Sequence, residues 1–161
     1  MSKIKIQNPV IHTPSFKEYR ISGQELAKKY SDLGIWIPAP ISDSWYYHTD
    51  DVGAAKLIPY LVFKSSLYRV DRRDCDWYAK KANVTCCELF ALNTLIETYG
   101  DMPLGYHAFS TWWVGDRFII LEPNEGFMGG NGDWRSIWDY LDGNIVFEWG
   151  ENGYSPELVL L

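Results

Sequence analysis

Three side chains in this sequence have the types and the order of a thiol nucleophile, its base and an orienting acid: Cys75, His107 and Glu122. A cysteine attacks a carbonyl as the thiolate, so its surroundings must favour loss of the thiol proton. A histidine beside it can accept that proton and later return it to a leaving group. A third polar group must fix the ring tautomer and steady the imidazolium. Whether these residues meet depends on the elements that carry them.

Cys75 opens a periodic stretch. Apolar residues follow it at Tyr78, Ala79, Ala82, Cys86, Leu89 and Phe90, and steps of three and four put them on one helical stripe. The spacing predicts a helix from Cys75 to about Phe90. Asp74 is the expected N-cap, with Asp71 competing for the role. Either choice leaves Cys75 in the first turn, at the positive end of the helix dipole, where thiolate is favoured over thiol.

His107 and Glu122 fall in the most readable β segment, Tyr106 to Val114, then Gly115-Asp116, then Arg117 to Glu122. Two runs of β-formers around a Gly-Asp pair predict a hairpin with a two-residue loop. Val114 then faces Arg117, Phe109 faces Glu122 and His107 faces Asn124. Side chains alternate along a strand, so His107, Phe109, Thr111 and Trp113 share a face with Phe118, Ile120, Glu122 and Asn124. His107 and Glu122 become diagonal neighbours. Glu122 would supply the orienting charge, while Asn124 and Trp113 would border the substrate. His12 and His48 lie in less ordered surroundings and make poorer bases.

The rest of the chain reads as one domain over 1–161, with residues 1–20 an extended lead-in. Ser22-Gly23-Gln24-Glu25 is a capping-box signature for a helix through Leu33, stopped by Gly34. Ile35 to Pro40 should be extended. Thr49 is the expected cap of a second helix that Pro59 kinks or ends, and Tyr60 to Phe63 reads as either helix or strand. Asn93 to Tyr99 is an expected strand, turned by Gly100-Asp101-Met102-Pro103. Gly126 to Gly132 reads as a glycine-rich flap, Asp133 as the cap of a helix through Leu141, and Asn144 to Trp149 as a last strand.

At 161 residues the chain can bury a core without staples. A net charge of −6 leaves no excess of Lys and Arg to neutralise phosphates, which argues against nucleic acid and against an anionic membrane surface. Three cysteines, two of them adjacent, are no disulfide framework. No apolar run is long enough to span a bilayer, and Met1 to Ile6 lacks the apolar stretch of a signal peptide. A cytoplasmic site is the default expectation, and a phage-encoded or virion-associated protein would look the same.

Asp74-Cys75-Asp76-Trp77-Tyr78-Ala79, Gly105-Tyr106-His107-Ala108-Phe109 and Leu121-Glu122-Pro123 together resemble the papain-like, calcium-dependent cysteine protease domain found fused to certain mushroom lectins, with similar blocks in bacterial and phage proteins. The resemblance covers roughly residues 40–125. It implies an α+β, papain-like fold in which a nucleophile-bearing helix lies on a small antiparallel sheet. It also implies a cysteine hydrolase acting on a peptide or protein through an acyl-thioester, with Cys75, His107 and Glu122 as nucleophile, base and orienting acid. Calcium is the cofactor it brings into question; Asp74, Asp76 and Glu122 are the carboxylates left to bind one, with no ligand set assigned. Trp77 stands where the family has a second acid.

Two other classes set bounds. A catalytically inactive binding or phage-particle module of the same fold would use Trp36, Trp45, Trp112 and Trp113 to stack on a sugar or a partner. A metal protein would need Cys75, Cys86, Cys87 and His107, but adjacent helical cysteines point about 100° apart and do not match zinc spacing. The Gly126–Gly132 loop lacks the Lys-Ser/Thr of a phosphate cradle.

Overall fold

The structure is a computed structural model that describes residues 14–102, 105–125, 146–148 and 153–161. In chain order these residues form β1 (Tyr19–Ser22), α1 (Gly23–Asp32), β2 (Trp45–His48), α2 (Asp51–Leu61), α3 (Cys75–Phe90), β3 (Leu95–Met102), β4 (Gly105–Trp113), β5 (Phe118–Leu121), β6 (Val146–Glu148) and β7 (Ser155–Val159). β1 and β2 pair as a small antiparallel ribbon. The other strands make one antiparallel sheet in the order β6-β5-β4-β3-β7. The fold is α+β, with the Cys75 helix packed on this sheet. No helix among the described residues is long and apolar enough to cross a membrane.

The period-two pattern of the sheet divides its core into two layers. Leu95, Trp112, Ile119 and Leu121 pack with Leu57 and Leu61 of α2 and with Ala82, Cys86 and Phe90 of α3. Ile96, Trp113, Phe118 and Val159, on the opposite face, pack with Leu26 and Tyr30 of α1. The apolar stripe read from the sequence is the buried side of α3: Tyr78, Ala79, Ala82, Cys86 and Phe90 are all buried. Ala91 ends that helix in the left-handed region, its N–H donating to the Cys87 carbonyl at 3.1 Å.

The β4–β5 hairpin keeps the expected register: Trp113 faces Phe118, and the Val114 N–H donates to the Arg117 carbonyl at 3.1 Å. Ser22 caps α1, accepting the Glu25 N–H at 3.2 Å. Elsewhere the structure corrects the reading. Asp50, not Thr49, caps α2 by accepting the Gly53 N–H at 2.9 Å, while the Thr49 hydroxyl donates to the Lys17 carbonyl at 2.7 Å. Helix α2 runs past Pro59 to Leu61. Phe63 then leaves it to bridge Asn124.

Gly100, Asp101 and Met102 do not turn the chain. They continue β3, paired with His107, Tyr106 and Gly105 on one side. On the other side Gly100 and Asp101 meet Pro156 and Ser155 of β7. That strand and the β1–β2 ribbon carry no clear signal in the sequence. Pro156 is tolerated because β7 is an edge strand, where a missing N–H breaks no inner ladder. The expected helix from Asp133 and the Gly126–Gly132 loop lie outside the described residues, and β6 is the described part of the expected strand at 144–149.

Gly100 is a tight point of the β3–β7 seam: a Cβ there would collide with the Ser155 carbonyl oxygen and the Pro156 backbone. Gly100→Ala is expected to push β7 off the sheet and to destabilise the fold by about 1–3 kcal/mol, the usual cost of overpacking. Urea unfolding measures it; a variant as stable as the parent would show that the seam is not closed at this residue.

Candidate active site

The three elements converge at one end of the main sheet. Cys75 is the first residue of α3 and is half-buried. His107 lies near the start of β4 and Glu122 just beyond the end of β5, 5% and 1% exposed respectively. The His107 Nε2 and the Glu122 Oε2 are 2.8 Å apart. The Cys75 thiol and the His107 ring are also hydrogen-bonded to each other. The Ala108 backbone N–H donates to the same sulfur.

Pro123 explains how Glu122 reaches its place. A proline cannot donate to the ladder, and the β4–β5 pairing ends at Ser110 and Leu121. The chain then leaves β4 and is caught by Phe63, whose N–H donates to the Pro123 carbonyl at 2.8 Å and whose carbonyl accepts the Glu125 N–H at 3.1 Å. His107 is thus opposed by Gly100 on β3 rather than laddered to Asn124, yet the diagonal contact with Glu122 expected from the hairpin is made.

The electrostatics of sulfur and ring move in opposite directions. Burial pushes the Cys75 thiol up, but the hydrogen bonds from His107 and Ala108 and the His107 charge outweigh it and bring the thiol below its ordinary value. Burial pushes His107 down, but the Glu122 charge and the hydrogen bonds to Cys75 and Glu122 raise it to about 9. The arrangement favours a thiolate–imidazolium pair in the pH window between those two values. The other cysteines differ: burial raises both the Cys86 and the Cys87 thiols, and no histidine offsets it.

Asp74 occupies the N-cap position, but its side chain makes no capping bond. It turns instead to Asp76. Their mutual hydrogen bond raises the Asp74 carboxyl and lowers that of Asp76, which also accepts the Trp77 N–H at 2.7 Å. The Asp74 charge opposes a thiolate at Cys75, against the larger pull of His107 and Ala108. Among the described residues, no group of three or more His, Cys, Asp or Glu side chains is placed to hold a metal ion. With Asp74 and Asp76 bonded to each other and Glu122 committed to His107, these carboxylates do not form a calcium cage.

Asn124 is buried and donates its backbone N–H to the Glu122 Oε1 at 3.2 Å, so it props the acid from within. Trp113 lies at the far end of β4 from His107, in the core beneath α1 with Phe118. Neither stands on an open surface beside Cys75.

Residues that the sequence reading missed also shape the site. Tyr154 donates to the Glu122 Oε2 at 3.2 Å. Tyr99 donates to the buried Glu97 at 2.6 Å, and burial together with Glu97 keeps its phenol protonated in the neighbourhood of Cys75 and Asp76. An acid within the apolar run Leu95-Ile96-Glu97 could have signalled a buried charge. Nothing around Tyr154 does.

Replacing His107 by Ala should move the Cys75 thiol upward and slow its alkylation by iodoacetamide at neutral pH by about tenfold or more, as the thiolate fraction falls. In the parent protein, alkylation should rise with pH through the lowered thiol value and change again near pH 9 as the ring loses its proton. A single step at the ordinary cysteine value, with or without His107, would show that sulfur and ring do not interact.

No protein-family model and no curated protein matches the chain. Among solved structures, the PSL1a-E64 complex is similar in fold, with a TM-score of 0.59 at 14% sequence identity. The similarity covers 88% of this chain and 51% of the other, so the chain spans about half the length of the structure it matches.

Proposed function

We propose that the protein is a cysteine hydrolase, a papain-like peptidase in which Cys75 is the nucleophile, His107 the general acid–base and Glu122 the group that orients the ring. The observation that carries this reading is the Cys75–His107–Glu122 relay, with the thiol lowered and the imidazole raised. The fold-level likeness to a structure solved with E64, a cysteine protease inhibitor, supports it. So does the resemblance of the three sequence blocks to the calcium-dependent protease domain of mushroom lectins.

The Cys75 sulfur attacks the carbonyl carbon of a peptide bond, and the carbonyl electrons move to oxygen. The Cys75 N–H belongs to the first turn of α3, which has no intrahelical acceptor for it, and can donate to that oxyanion. As the tetrahedral centre collapses, the His107 ring gives its proton to the departing amine and the acyl group stays on sulfur. His107 then takes a proton from water, the hydroxide attacks the thioester, and the carboxylic acid leaves with the thiolate restored.

A binding module has one specific observation in its favour: the exposure of Trp36 and Trp45, the latter beneath the Arg20 guanidinium at 4.2 Å. Trp112 and Trp113, by contrast, are buried and cannot stack on a ligand.

Cys75→Ala should abolish both hydrolysis of a peptide library and labelling by a thiol-reactive peptide electrophile. Glu122→Gln keeps the shape of the acid and should lower turnover by roughly 100-fold, the lower end of what general acid–base catalysis supplies. Labelling that persists at Cys86 or Cys87 in the alanine variant would overturn the assignment. Complete labelling of Cys75 with no peptide turned over would select the binding module.

A further inference from the structure

We infer that Tyr154 is a positioning residue of the site: its hydroxyl fixes the Glu122 carboxylate in the plane that meets His107. This rests on the reading of Cys75, His107 and Glu122 as the reacting relay, and adds a fourth side chain from a separate part of the sequence.

The physical need comes from the glutamate itself. The last torsion of a Glu side chain joins a tetrahedral to a planar carbon and has a broad, shallow profile. A carboxylate at the end of it is held only by what it bonds to. Around Glu122, the Oε1 accepts the Asn124 N–H at 3.2 Å, and the Oε2 accepts both His107 Nε2 at 2.8 Å and the Tyr154 hydroxyl at 3.2 Å. The backbone donor fixes one oxygen and the phenol fixes the other. Without the phenol, the oxygen that faces the ring is held by the ring alone, and ring and acid can turn together.

Tyr154 is placed to do this, its hydroxyl lying within hydrogen-bond distance of the carboxylate. It is 3% exposed, in a small apolar cluster with Met102, Phe109 and Ile120 that a phenylalanine would fill as well. Its ring stands edge-on to His107 with centroids 6.3 Å apart, and to Phe109 at 5.0 Å. Phe109 in turn lies nearly parallel to the His107 ring at 6.3 Å. The position of Tyr154 is set by the β3–β7 seam, where Ser155 and Pro156 pair with Asp101 and Gly100. Among the described residues, the titratable and charged groups around this corner include Cys75 and the Tyr78 phenol from α3, Arg69 and Arg73 before it, Glu122 and Glu125 after β5, and Tyr154 itself.

The test compares parent, Tyr154→Phe, Glu122→Gln and the double variant by two measurements: NMR titration of the His107 ring, and the rate of Cys75 alkylation by iodoacetamide across pH. In Tyr154→Phe the ring titration should fall from about 9 toward the ordinary histidine value. Alkylation at neutral pH should slow by about tenfold, the effect of losing one hydrogen bond to a charged group. In the Glu122→Gln background the same change should do nothing further, because the phenol acts through the acid. A ring titration that is unmoved or raised in Tyr154→Phe overturns the inference, as does an equal additional effect in the double variant; a side chain that only fills space would leave both pH profiles in place. Failure of the hydrolase reading looks different: a parent protein with a raised His107 titration and no turnover of any peptide loses that function and keeps Tyr154 in its positioning role.

Discussion

The site depends on what it takes to bury Glu122. A carboxylate that is 1% exposed has given up its hydration, which costs several kcal/mol unless charge and hydrogen bonds replace it. The replacement here is the His107 ring on one oxygen with the Tyr154 phenol, and a backbone N–H on the other. That requirement runs outward. A ring whose charged form is favoured by the acid is also the one that can hold a thiolate, and the lowered Cys75 thiol follows. The order is acid, then base, then sulfur, with the most buried member anchoring the most accessible.

Two backbone constraints deliver these groups. Pro123 breaks the β5 ladder one residue after Glu122, so the acid swings out of strand geometry while its neighbours are recaptured by Phe63. Gly100 lets β7 approach closely enough for Tyr154 to reach the same acid. Neither residue does chemistry, yet each replaces a side chain or an N–H that would keep the charged groups apart. The hydrophobic layers supply the rigidity: α3 is held down by Ala79, Ala82 and Cys86, small enough for a close approach to β3 and β4.

Much of this was legible because it obeys local periodicity. The stripe of α3 and the two-residue β4–β5 loop follow from spacing alone, and the loop sets His107 beside Glu122, whereas the meeting of Cys75 with that pair was implied by the family resemblance. What was not legible is what depends on distant chain. Asp74 looks like a cap, but a neighbouring acid competes for its hydrogen bond and the capping is left undone. Trp113 shares a strand face with His107, yet six residues of strand carry it to the opposite end, under α1. Gly100 to Met102 read as a turn because glycine, aspartate and proline punctuate loops. A second strand pairing from β7 overrides that preference. Tyr154 sits in a segment with no periodic signal, so its contact with Glu122 is visible only in three dimensions.

The three cysteines show how strongly position governs reactivity. All lie on α3, and all have the same intrinsic chemistry. The favourable field of a helix fades beyond its first turn, so Cys86 and Cys87 receive none of it. Cys86 faces the core, where burial holds the proton on sulfur, and at Cys87 partial desolvation, then the charges of Asp43 and Glu88, oppose a thiolate. Cys75 alone has the helix start, a backbone N–H and an imidazole together.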